Sequence, residues 1–384
     1  MSYDVGALRA REFPWMDSAT AVFLNSASTG PLPRRAVEAL SAYNELRHMP
    51  HRLTDELQFG TLTRGRELVA QLIGASPAEI ALSVNTSYGI NVAALALPLG
   101  PGDVVVVPDG EFPANMYPWL DLAPRRGASV RVIPKRRGLP DEAGVLAALD
   151  DPAVKIVSVS WVGFATGYRM DLAALGRRCR ERGVHLVVDA IQGLGPLTLD
   201  VKDAQPAVLA CGAQKWLLSP WGAGFTYVRR DLIPALDPPF VSWMAVKGSD
   251  DFRKLLDYDL TWRDDARRFE FITVPFQDFA GMNASLELLQ ELGPAAVEAH
   301  VAALAGDLVA WAQERDDMRL VTPADRARRA GIVCVAPPDP EATSQRLKAA
   351  GIAHSQREGA MRFAIHAFTT RDDLARVKDV MSAR

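Results

Sequence analysis

Short apolar runs alternate with longer amphipathic stretches from about residue 79 to residue 228, and this alternation restricts the possible folds strongly. The runs EIALSV, DVVVVP, SVRVIP, VKIVSVS, VHLVVDA, AVLACG and GFTYVRR predict strands. Most of them are almost continuously apolar, as expected where helices cover both faces of a parallel sheet. The sequence therefore predicts an α/β fold, a three-layer sandwich with a mostly parallel central sheet.

The chain has 384 residues, which is long for a single hydrophobic core. Two helices are predicted between residues 33 and 73, ahead of the sheet. After about Pro239 the pattern changes to longer helices, at Met282 to Leu292 and Pro294 to Gln313. Two short strands, AGIVCVA and AMRFAIH, and a last helix from Arg371 follow. The charged stretch from Lys247 to Arg268 is interpreted as a surface connection.

These patterns predict three parts. They are an N-terminal arm of residues 1–20, a large α/β domain of residues 21–245, and a smaller α+β C-terminal domain of residues 246–384.

Composition points to small-molecule partners. The net charge is −3, with 48% hydrophobic and 23% charged residues, which provides no positive surface for nucleic acid or an anionic membrane. The N-terminus lacks an apolar segment of signal-peptide length, and the apolar run from about Ile90 to Leu99 is too short to span a bilayer. We therefore expect a cytoplasmic protein that binds neither nucleic acid nor membrane.

The three cysteines are widely spaced and odd in number, which predicts neither a disulfide framework nor a metal site. Cys179 continues a helical apolar stripe, and Cys334 falls in a predicted strand, so both are interpreted as small core residues. Cys211 stands four residues before Lys215, and its role is left open.

Polar and aromatic residues follow several predicted strands, at the sheet edge where α/β proteins bind their ligands. Lys215 lies in CGAQKWLLSPWGAG, which contains no acidic residue. Low-polarity surroundings lower the pKa of a lysine and make its neutral amine available to an aldehyde; the alternative is a lysine that reaches water. The residues at this edge are Thr86, Ser87, Phe112, Asn115, Thr166, Gly167, Asp189, Gln192, Gln214 and Lys215.

Asp189 ends an interior strand, where a carboxylate needs a cationic partner such as a protonated pyridine nitrogen. Such a ring would act as an electron sink for a carbanion. The alternative for Asp189 is a helix cap. Thr86 and Ser87 begin a helix in VNTSYGINVAALAL, where hydroxyls and free N–H groups suit a phosphate, although an ordinary N-cap has the same pattern.

HLVVDAIQGLGPLTLD followed by GAQKWLLSPWGAGFTYV resembles the class V aminotransferase family of fold-type I pyridoxal-phosphate enzymes. This family includes cysteine desulfurases, kynureninases and isopenicillin N epimerase-like proteins. The resemblance extends from FLNSASTGPLP to MRFAIHAFTTRDDLARV. It implies pyridoxal 5'-phosphate as the cofactor, an amino-acid substrate, and a homodimer with the active site at the subunit interface.

The resemblance also implies a role for each matching residue. Lys215 would hold the cofactor as a Schiff base and then move the α-proton of the substrate. Arg362 would bind the substrate carboxylate, unless it forms an ion pair within the protein. The backbone at Ser26 and Ala27 would approach the same carboxylate. The implied cofactor ligands are Asp189 at the ring nitrogen, Gln192 at the phenolic oxygen, Phe112 on the ring face, Thr86, Ser87 and Gln214 at the phosphate, Asn115 and Thr166 as further contacts, and Thr273 from the neighbouring subunit.

Two of these matches depart from the family pattern. Phe112 stands near a position where desulfurases usually carry a histidine, and Ile272 stands in RRFEFITVPF where the family usually has glycine before the threonine. His366 also falls in a motif-like position and is assigned no role.

The resemblance leaves the reaction open. Desulfurases carry a nucleophilic cysteine shortly before the carboxylate-binding arginine, and AHSQREGAMR contains none. Desulfuration by that route is therefore not expected. Transamination is the first expectation because of the breadth of the family, followed by epimerisation or carbon–sulfur or carbon–carbon lysis. GLGPLT resembles part of a dinucleotide fingerprint, but the following LTLDVKD does not begin an amphipathic helix. A non-catalytic binding protein on this fold is the remaining alternative.

Overall fold

The computed structural model describes residues 3–18 and 21–383. Residues 1, 2, 19 and 20 of the predicted arm and residue 384 of the predicted C-terminal domain lie outside these ranges. The strands are β1 Val22–Phe23, β2 Ile80–Ser83, β3 Val104–Pro108, β4 Ser129–Ile133, β5 Val154–Ser160, β6 His185–Asp189, β7 Val208–Gly212, β8 Gly224–Val228, β9 Arg319–Leu320, β10 Ile332–Ala336, β11 Ile352–Ala353, β12 Ser355–Arg357 and β13 Ala360–Ala364.

The predicted helices are present, although the helix predicted from Met282 begins six residues earlier, at Phe276. They are α1 Val5–Glu12, α2 Trp15–Ser18, α3 Arg34–His48, α4 Asp55–Ile73, α5 Thr86–Ala96, α6 Tyr117–Arg125, α7 Glu142–Ala148, α8 Leu172–Glu181, α9 Val201–Ala204, α10 Phe276–Leu292, α11 Pro294–Gln313, α12 Pro340–Ala349 and α13 Arg371–Ser382.

All seven predicted strands between residues 79 and 228 form one sheet, in the order β2-β8-β7-β6-β5-β3-β4. Every pairing is parallel except those of β8, which runs antiparallel to both β2 and β7. Val104 and Val106 belong to one apolar core, whereas Val105 and Val107 belong to the other. Because successive side chains of a strand point to opposite faces, these two cores are the two covered faces of the sheet. The predicted α/β fold with a mostly parallel central sheet is confirmed.

The second sheet is antiparallel, with the order β12-β13-β10-β9. α11 packs against β9, β10 and α13, and α12 packs against α13. Among the described residues, α11 alone is long and apolar enough to cross a membrane by length and composition. Its residues Val297, Val301, Leu304 and Leu308 are buried against this sheet, as in a core helix of a globular domain. Its apolar sequence is interrupted by polar residues such as Glu298, His300 and Asp307.

The N-terminal segment, at Arg9 and at residues 22–25, packs against the C-terminal part of the chain. β1 pairs in parallel with β11, and Asn25 bridges to Ala364 at the end of β13. Arg9 donates to the carbonyl of Phe368 at 2.7 Å and forms an ion pair with Asp373. Residues 22–25, which the sequence assigned to the large domain, therefore pair with strands of the C-terminal part.

This arrangement brings residues 26–30 onto the sheet edge. The N–H of Gly30 donates to the carbonyl of Gln214 at 2.9 Å. A Cβ atom on Gly30 would lie 2.0 Å from the carbonyl oxygen of Lys215, so a side chain at this position would collide with the backbone of the lysine segment. The loop carrying Ser26 and Ala27 is thereby fixed beside Lys215.

Candidate active site

Lys215 and Asp189 lie at the carboxyl ends of neighbouring parallel strands. Asp189 is the last residue of β6, β7 ends three residues before Lys215, and Asp189 is paired with Ala210 in the register. Parallel strands end at the same sheet edge, so both side chains open into the cleft that the topology predicts. The electrostatic coupling of the two groups also places them close together, since each shifts the pKa of the other.

Burial lowers the pKa of Lys215 to about 8, and the negative charge of Asp189 opposes this shift. None of the ion pairs found among the described residues includes Lys215. Its Nζ lies 5.6 Å from the ring centroid of Phe112. A substantial fraction of this amine is therefore neutral, and hence nucleophilic, slightly above neutral pH.

Asp189 is 3% exposed, and burial raises the pKa of its carboxyl group to about 6, while the charge of Lys215 lowers it. One carboxylate oxygen accepts the N–H of Ile191 at 3.0 Å. A carboxylate so strongly desolvated is stabilised by a nearby cation. A protonated ring nitrogen fits this position.

The N-terminus of α5 is held firmly against β7. Asn85 caps the helix by accepting the N–H of Tyr88 at 2.9 Å, and the Thr86 hydroxyl accepts the N–H of Gly212 at 2.9 Å. The hydroxyl hydrogen of Thr86 remains able to donate to an anion. Ser87 is exposed in the first turn of this 11-residue helix, whose free N–H groups also suit a phosphate.

Gln192 connects three segments of the site. Its Nε2 donates to the carbonyl of Ala27 at 3.0 Å, and its Oε1 accepts the indole N–H of Trp216 at 2.8 Å. The carbonyl of Trp216 in turn bonds Nε2 of His366 at 3.0 Å. Trp216 was not assigned a role from the sequence, and His366 has the structural role of supporting it. This chain of contacts fixes the orientation of the Gln192 amide, and its contact with a cofactor stays a prediction.

Phe112 is 42% exposed and packs edge-to-face on Phe164, with ring centroids 5.2 Å apart. It is available to cover the face of a bound ring. Thr166 accepts the N–H of Tyr168 at 3.2 Å through its hydroxyl, and its carbonyl accepts the hydroxyl of Thr322 at 2.7 Å. Thr166 is thus tied into the wall of the cleft, and its contact with a cofactor stays a prediction.

Asn115 lies in the short 3-10 helix that follows β3. It is fully buried, its Nδ2 donates to Glu111 at 3.0 Å, and its Oδ1 accepts the hydroxyl of Ser158 at 2.6 Å. Both ends of its amide are therefore occupied within the protein. Asn115 therefore supports Glu111, and its direct contact with a cofactor stays a prediction.

Glu111 was missed by the sequence reasoning. Its carboxylate accepts the N–H of Ser160 at 2.7 Å and also the hydroxyl of that residue. Ser160 is the register partner of Asp189. Burial, with a smaller contribution from the charge of Asp189, raises the pKa of Glu111 to about 7, while hydrogen bonds from Asn115 and Ser160 oppose the shift. Its position in the sequence, after β3 and directly before Phe112, could have identified Glu111 as a candidate site residue.

Arg362 is 2% exposed and is held by neutral oxygens only. It donates to the Ser355 hydroxyl at 2.9 Å, the Phe164 carbonyl at 2.9 Å and the Ser28 hydroxyl at 2.8 Å. Burial lowers its pKa to about 10. No ion pair of Arg362 occurs within the part of the chain that the structure describes, so the alternative of an internal ion pair is not observed. Ser26 stands two residues before Ser28, and its buried hydroxyl has no hydrogen-bond partner within the described part of the protein.

Among the described residues, the side chains of Thr273 and Gln214 form no hydrogen bond with this cluster. Thr273 is exposed and lies in the segment that follows the exposed Phe271. Gln214 is partly buried, and only its backbone carbonyl has a recorded role, as the acceptor of Gly30 N–H. Their proposed contacts with a phosphate stay predictions.

All three cysteines are buried and free. Burial raises the pKa of Cys179 and of Cys334 to about 12 and also raises that of Cys211. Cys211 lies on β7 in the apolar core. Residues 3–18 and 21–383 contain neither an exposed thiol nor a cluster of side chains suited to a metal ion.

The sequence is similar to a known family and to known proteins over most of its length. The family model "Aminotransferase class-V" matches residues 22–377. A probable cysteine desulfurase of Methanothermobacter thermautotrophicus is 31% identical over 73% of this chain and 69% of its own length. The isopenicillin N epimerase of Streptomyces clavuligerus is 28% identical, over 95% of both chains.

Solved structures show the same fold. A lysine-to-alanine mutant of C-DES with glycine covalently linked to its pyridoxal phosphate cofactor has a TM-score of 0.87 at 22% identity, covering 98% of this chain and 99% of that one. The cysteine desulfurase of Thermococcus onnurineus has a TM-score of 0.86 at 22% identity, covering 99% and 98%.

Proposed function

The chain belongs to the aminotransferase class-V family, and from this premise we propose that it removes the α-proton of an amino acid and transfers the amino group. Its cofactor is pyridoxal 5'-phosphate. One observation carries the proposal. Lys215, whose pKa is lowered to about 8, and the buried Asp189 lie at the same edge of the sheet.

The residues of the cleft fit this cofactor. Asp189 provides a desolvated carboxylate for the ring nitrogen, and the first turn of α5 provides hydroxyl and N–H donors for the phosphate. When bound, pyridoxal phosphate withdraws electrons from the α-carbon of the amino acid. The residues proposed to hold it are Thr86, Ser87, Phe112, Thr166, Asp189, Gln192, Gln214 and Lys215, with Thr273 from a second subunit.

Lys215 is proposed as the catalytic residue. Its amine accepts the α-proton of the substrate and returns a proton from the same Nζ atom. A base is most effective when its pKa lies near the working pH, and burial gives Lys215 such a pKa. Phe112 and Phe164 limit the access of water on one side of this amine.

Arg362 is proposed to bind the substrate α-carboxylate. Its guanidinium is buried without an acidic partner, and a planar guanidinium binds a carboxylate through two parallel hydrogen bonds. The unpaired hydroxyl of Ser26 and the loop at Ala27 lie on the segment that also carries Ser28, an Arg362 contact.

Several relatives are desulfurases, but the thiols of this chain disfavour that reaction. Persulfide formation requires an exposed, ionisable thiol, and the three cysteines are buried with raised pKa values. Epimerisation is the second candidate, favoured by the end-to-end similarity to isopenicillin N epimerase. Carbon–sulfur or carbon–carbon lysis uses the same proton removal and follows as a further alternative.

The test is a screen of amino acids against the holoenzyme with analysis of the products. Amino transfer predicts a keto acid, conversion of the cofactor to its amine form, and recovery when a second keto acid is added. An inverted stereocentre without keto acid would replace transfer by epimerisation, and release of ammonia would replace it by lysis. A protein that takes up no cofactor would instead be a binding protein on this fold.

We also propose that the chain acts as a cytoplasmic homodimer. One open depression on the surface is lined by five exposed apolar side chains. They are Val241 (64% exposed), Trp243 (47%), Leu255 (44%), Tyr258 (89%) and Leu260 (65%). We call this set the apolar patch; such a patch on a single subunit is typical of a protein interface. Three unpaired thiols agree with a reducing compartment.

A further inference from the structure

Arg357 is a second arginine on the hairpin that carries Arg362. It ends β12, and Glu358 and Gly359, with φ of 48° and 76°, connect it to Ala360 at the start of β13. Two consecutive residues with positive φ form the two-residue turn that matches the twist of a β-hairpin. This turn fixes Arg357 directly opposite Ala360.

The register places the two arginine side chains on one face of the hairpin. Ser355 is opposite Arg362, and its hydroxyl accepts Nε of Arg362 at 2.9 Å. Arg357 follows Ser355 by two residues and therefore points to the same face. Arg357 and Arg362 are diagonal neighbours across the strands, a separation that long side chains readily bridge.

The charge of Arg357 acts on the cleft. It lowers the pKa of Lys215 and of Arg362, in each case after the larger effect of burial. The guanidinium therefore lies close enough to both groups to disfavour their charged forms. Its recorded hydrogen bond goes to the carbonyl of Gln356 at 2.7 Å, and Arg357 occurs in no ion pair among residues 3–18 and 21–383.

The cleft thus contains two guanidinium groups, those of Arg357 and Arg362, that form no ion pair among the described residues. An α-carboxylate occupies the fork of one guanidinium, and Arg362 is the more deeply buried of the two arginines. Arg357 is half-buried and lies nearer the tip of the hairpin, so its guanidinium is available to a second group of a ligand held at Arg362. An unpaired cation in such a wall stabilises a second anion.

We propose that Arg357 binds an anionic group at the end of the substrate side chain, so that the preferred substrate is an amino acid with a side-chain carboxylate. This inference rests on the proposed function, because it assumes that Arg362 binds the α-carboxylate. In this proposal Arg357 determines which substrate is preferred, and Lys215 transfers the proton.

The test compares two unreactive acids of equal chain length, glutarate and pentanoate, by calorimetric titration of the cofactor-loaded protein at constant ionic strength. We expect glutarate to bind more tightly by about tenfold or more, the size of one well-formed ionic contact. Arg357→Gln should remove this preference and leave pentanoate binding unchanged. Arg362→Gln should weaken the binding of both acids.

Arg319→Gln is the matched control, because Arg319 is exposed on β9 and its loss changes the net charge equally. It should leave both affinities unchanged. Equal binding of the two acids by the native protein would overturn the inference. A loss of pentanoate affinity in Arg357→Gln as large as that of glutarate would also overturn it, because both arginines would then bind one carboxylate. Failure to take up cofactor is a separate result, visible in the absorbance spectrum, and would count against the proposed function instead.

Discussion

At the scale of single residues, the cleft contains charged groups that the protein alone leaves poorly compensated. Lys215, Asp189 and Arg362 are each desolvated, and burial is the largest cause of each pKa shift. Buried charges of this kind reduce the stability of the empty protein and become favourable when a ligand provides the opposite charge. The site is therefore organised for a ligand rather than for stability.

Lys215→Met should stabilise the cofactor-free protein near pH 7 by roughly 1–3 kcal/mol. The folded pKa of about 8 lies below the ordinary value of 10.5, so the unfolded state binds more protons between these values. The gain should therefore be full below about pH 8 and disappear as the pH rises through 10.5. Denaturant unfolding at both ends of this range measures it.

Lys348→Met, on an exposed position of α12, is the control for the change in net charge and should give no comparable gain. A stabilisation that is equally large above pH 10.5 would show that packing, and not proton binding, is the cause.

Arg362→Ala should raise the KM for the amino-acid substrate on the order of 100-fold, because it removes the buried partner of the α-carboxylate. The turnover number should fall less than kcat/KM does. Steady-state kinetics with the native protein and with Ser28→Ala, which removes one supporting hydroxyl, separates direct binding from positioning. An unchanged KM would assign the carboxylate to another group.

At the scale of elements, the position of α5 against β7 decides where a phosphate would bind. A Cβ atom on Gly89 would lie 2.5 Å from the Thr226 hydroxyl and 2.6 Å from Cβ of Ala210. Gly89→Ala should therefore push α5 off the sheet, lower stability by about 1–3 kcal/mol and weaken cofactor binding. Titration of the cofactor by fluorescence measures the last effect.

Gly60→Ala is the matched control, since Gly60 also lies within a helix but a Cβ atom added there would meet no neighbouring atom within 4 Å. It should stabilise α4 by up to about 1 kcal/mol and leave cofactor binding unchanged. Equal cofactor affinity in the two variants would show that the position of α5 does not determine phosphate binding.

The elements show how far local sequence patterns determine this fold. Apolar runs predicted every strand of the large sheet, and most runs are continuous because burial on both faces leaves a strong local signal; the edge strand β4, with its more exposed residues, is the exception. The antiparallel direction of β8 and the pairing of Val22 with Ile352 were not predicted, because they depend on contacts between distant segments. Glu111 and Arg357 were missed for the same reason: their partners lie on other strands.

At the scale of the whole molecule, the site requires parts of nearly the entire chain. Ser28 comes from the segment after β1, Thr86 from α5, Asp189 and Lys215 from the large sheet, and Arg362 from β13. The hydrogen bonds of Arg362 to Ser28 and to Phe164 join the C-terminal sheet to the rest. The proposed binding of the substrate carboxylate at Arg362 would therefore depend on how these parts pack together.

The proposed homodimer should appear in sedimentation velocity as a species of twice the chain mass. Leu260→Asp places a charge in the apolar patch and should produce monomers, because burying an unpaired carboxylate at an interface is costly. Leu120→Asp, at a 46% exposed position on α6, should leave the dimer intact. A native protein that sediments as a monomer would contradict the dimer and, with it, the intersubunit role of Thr273.

The proposed chemistry depends centrally on Lys215 and Asp189 facing one bound aromatic aldehyde. Borohydride reduction of the cofactor-loaded protein, followed by peptide mass mapping, tests this most directly. The result we predict is a single adduct on Lys215, lost in Lys215→Ala, together with weaker cofactor retention in Asp189→Asn. An adduct on a different lysine, or none in a protein that carries the cofactor, would contradict it.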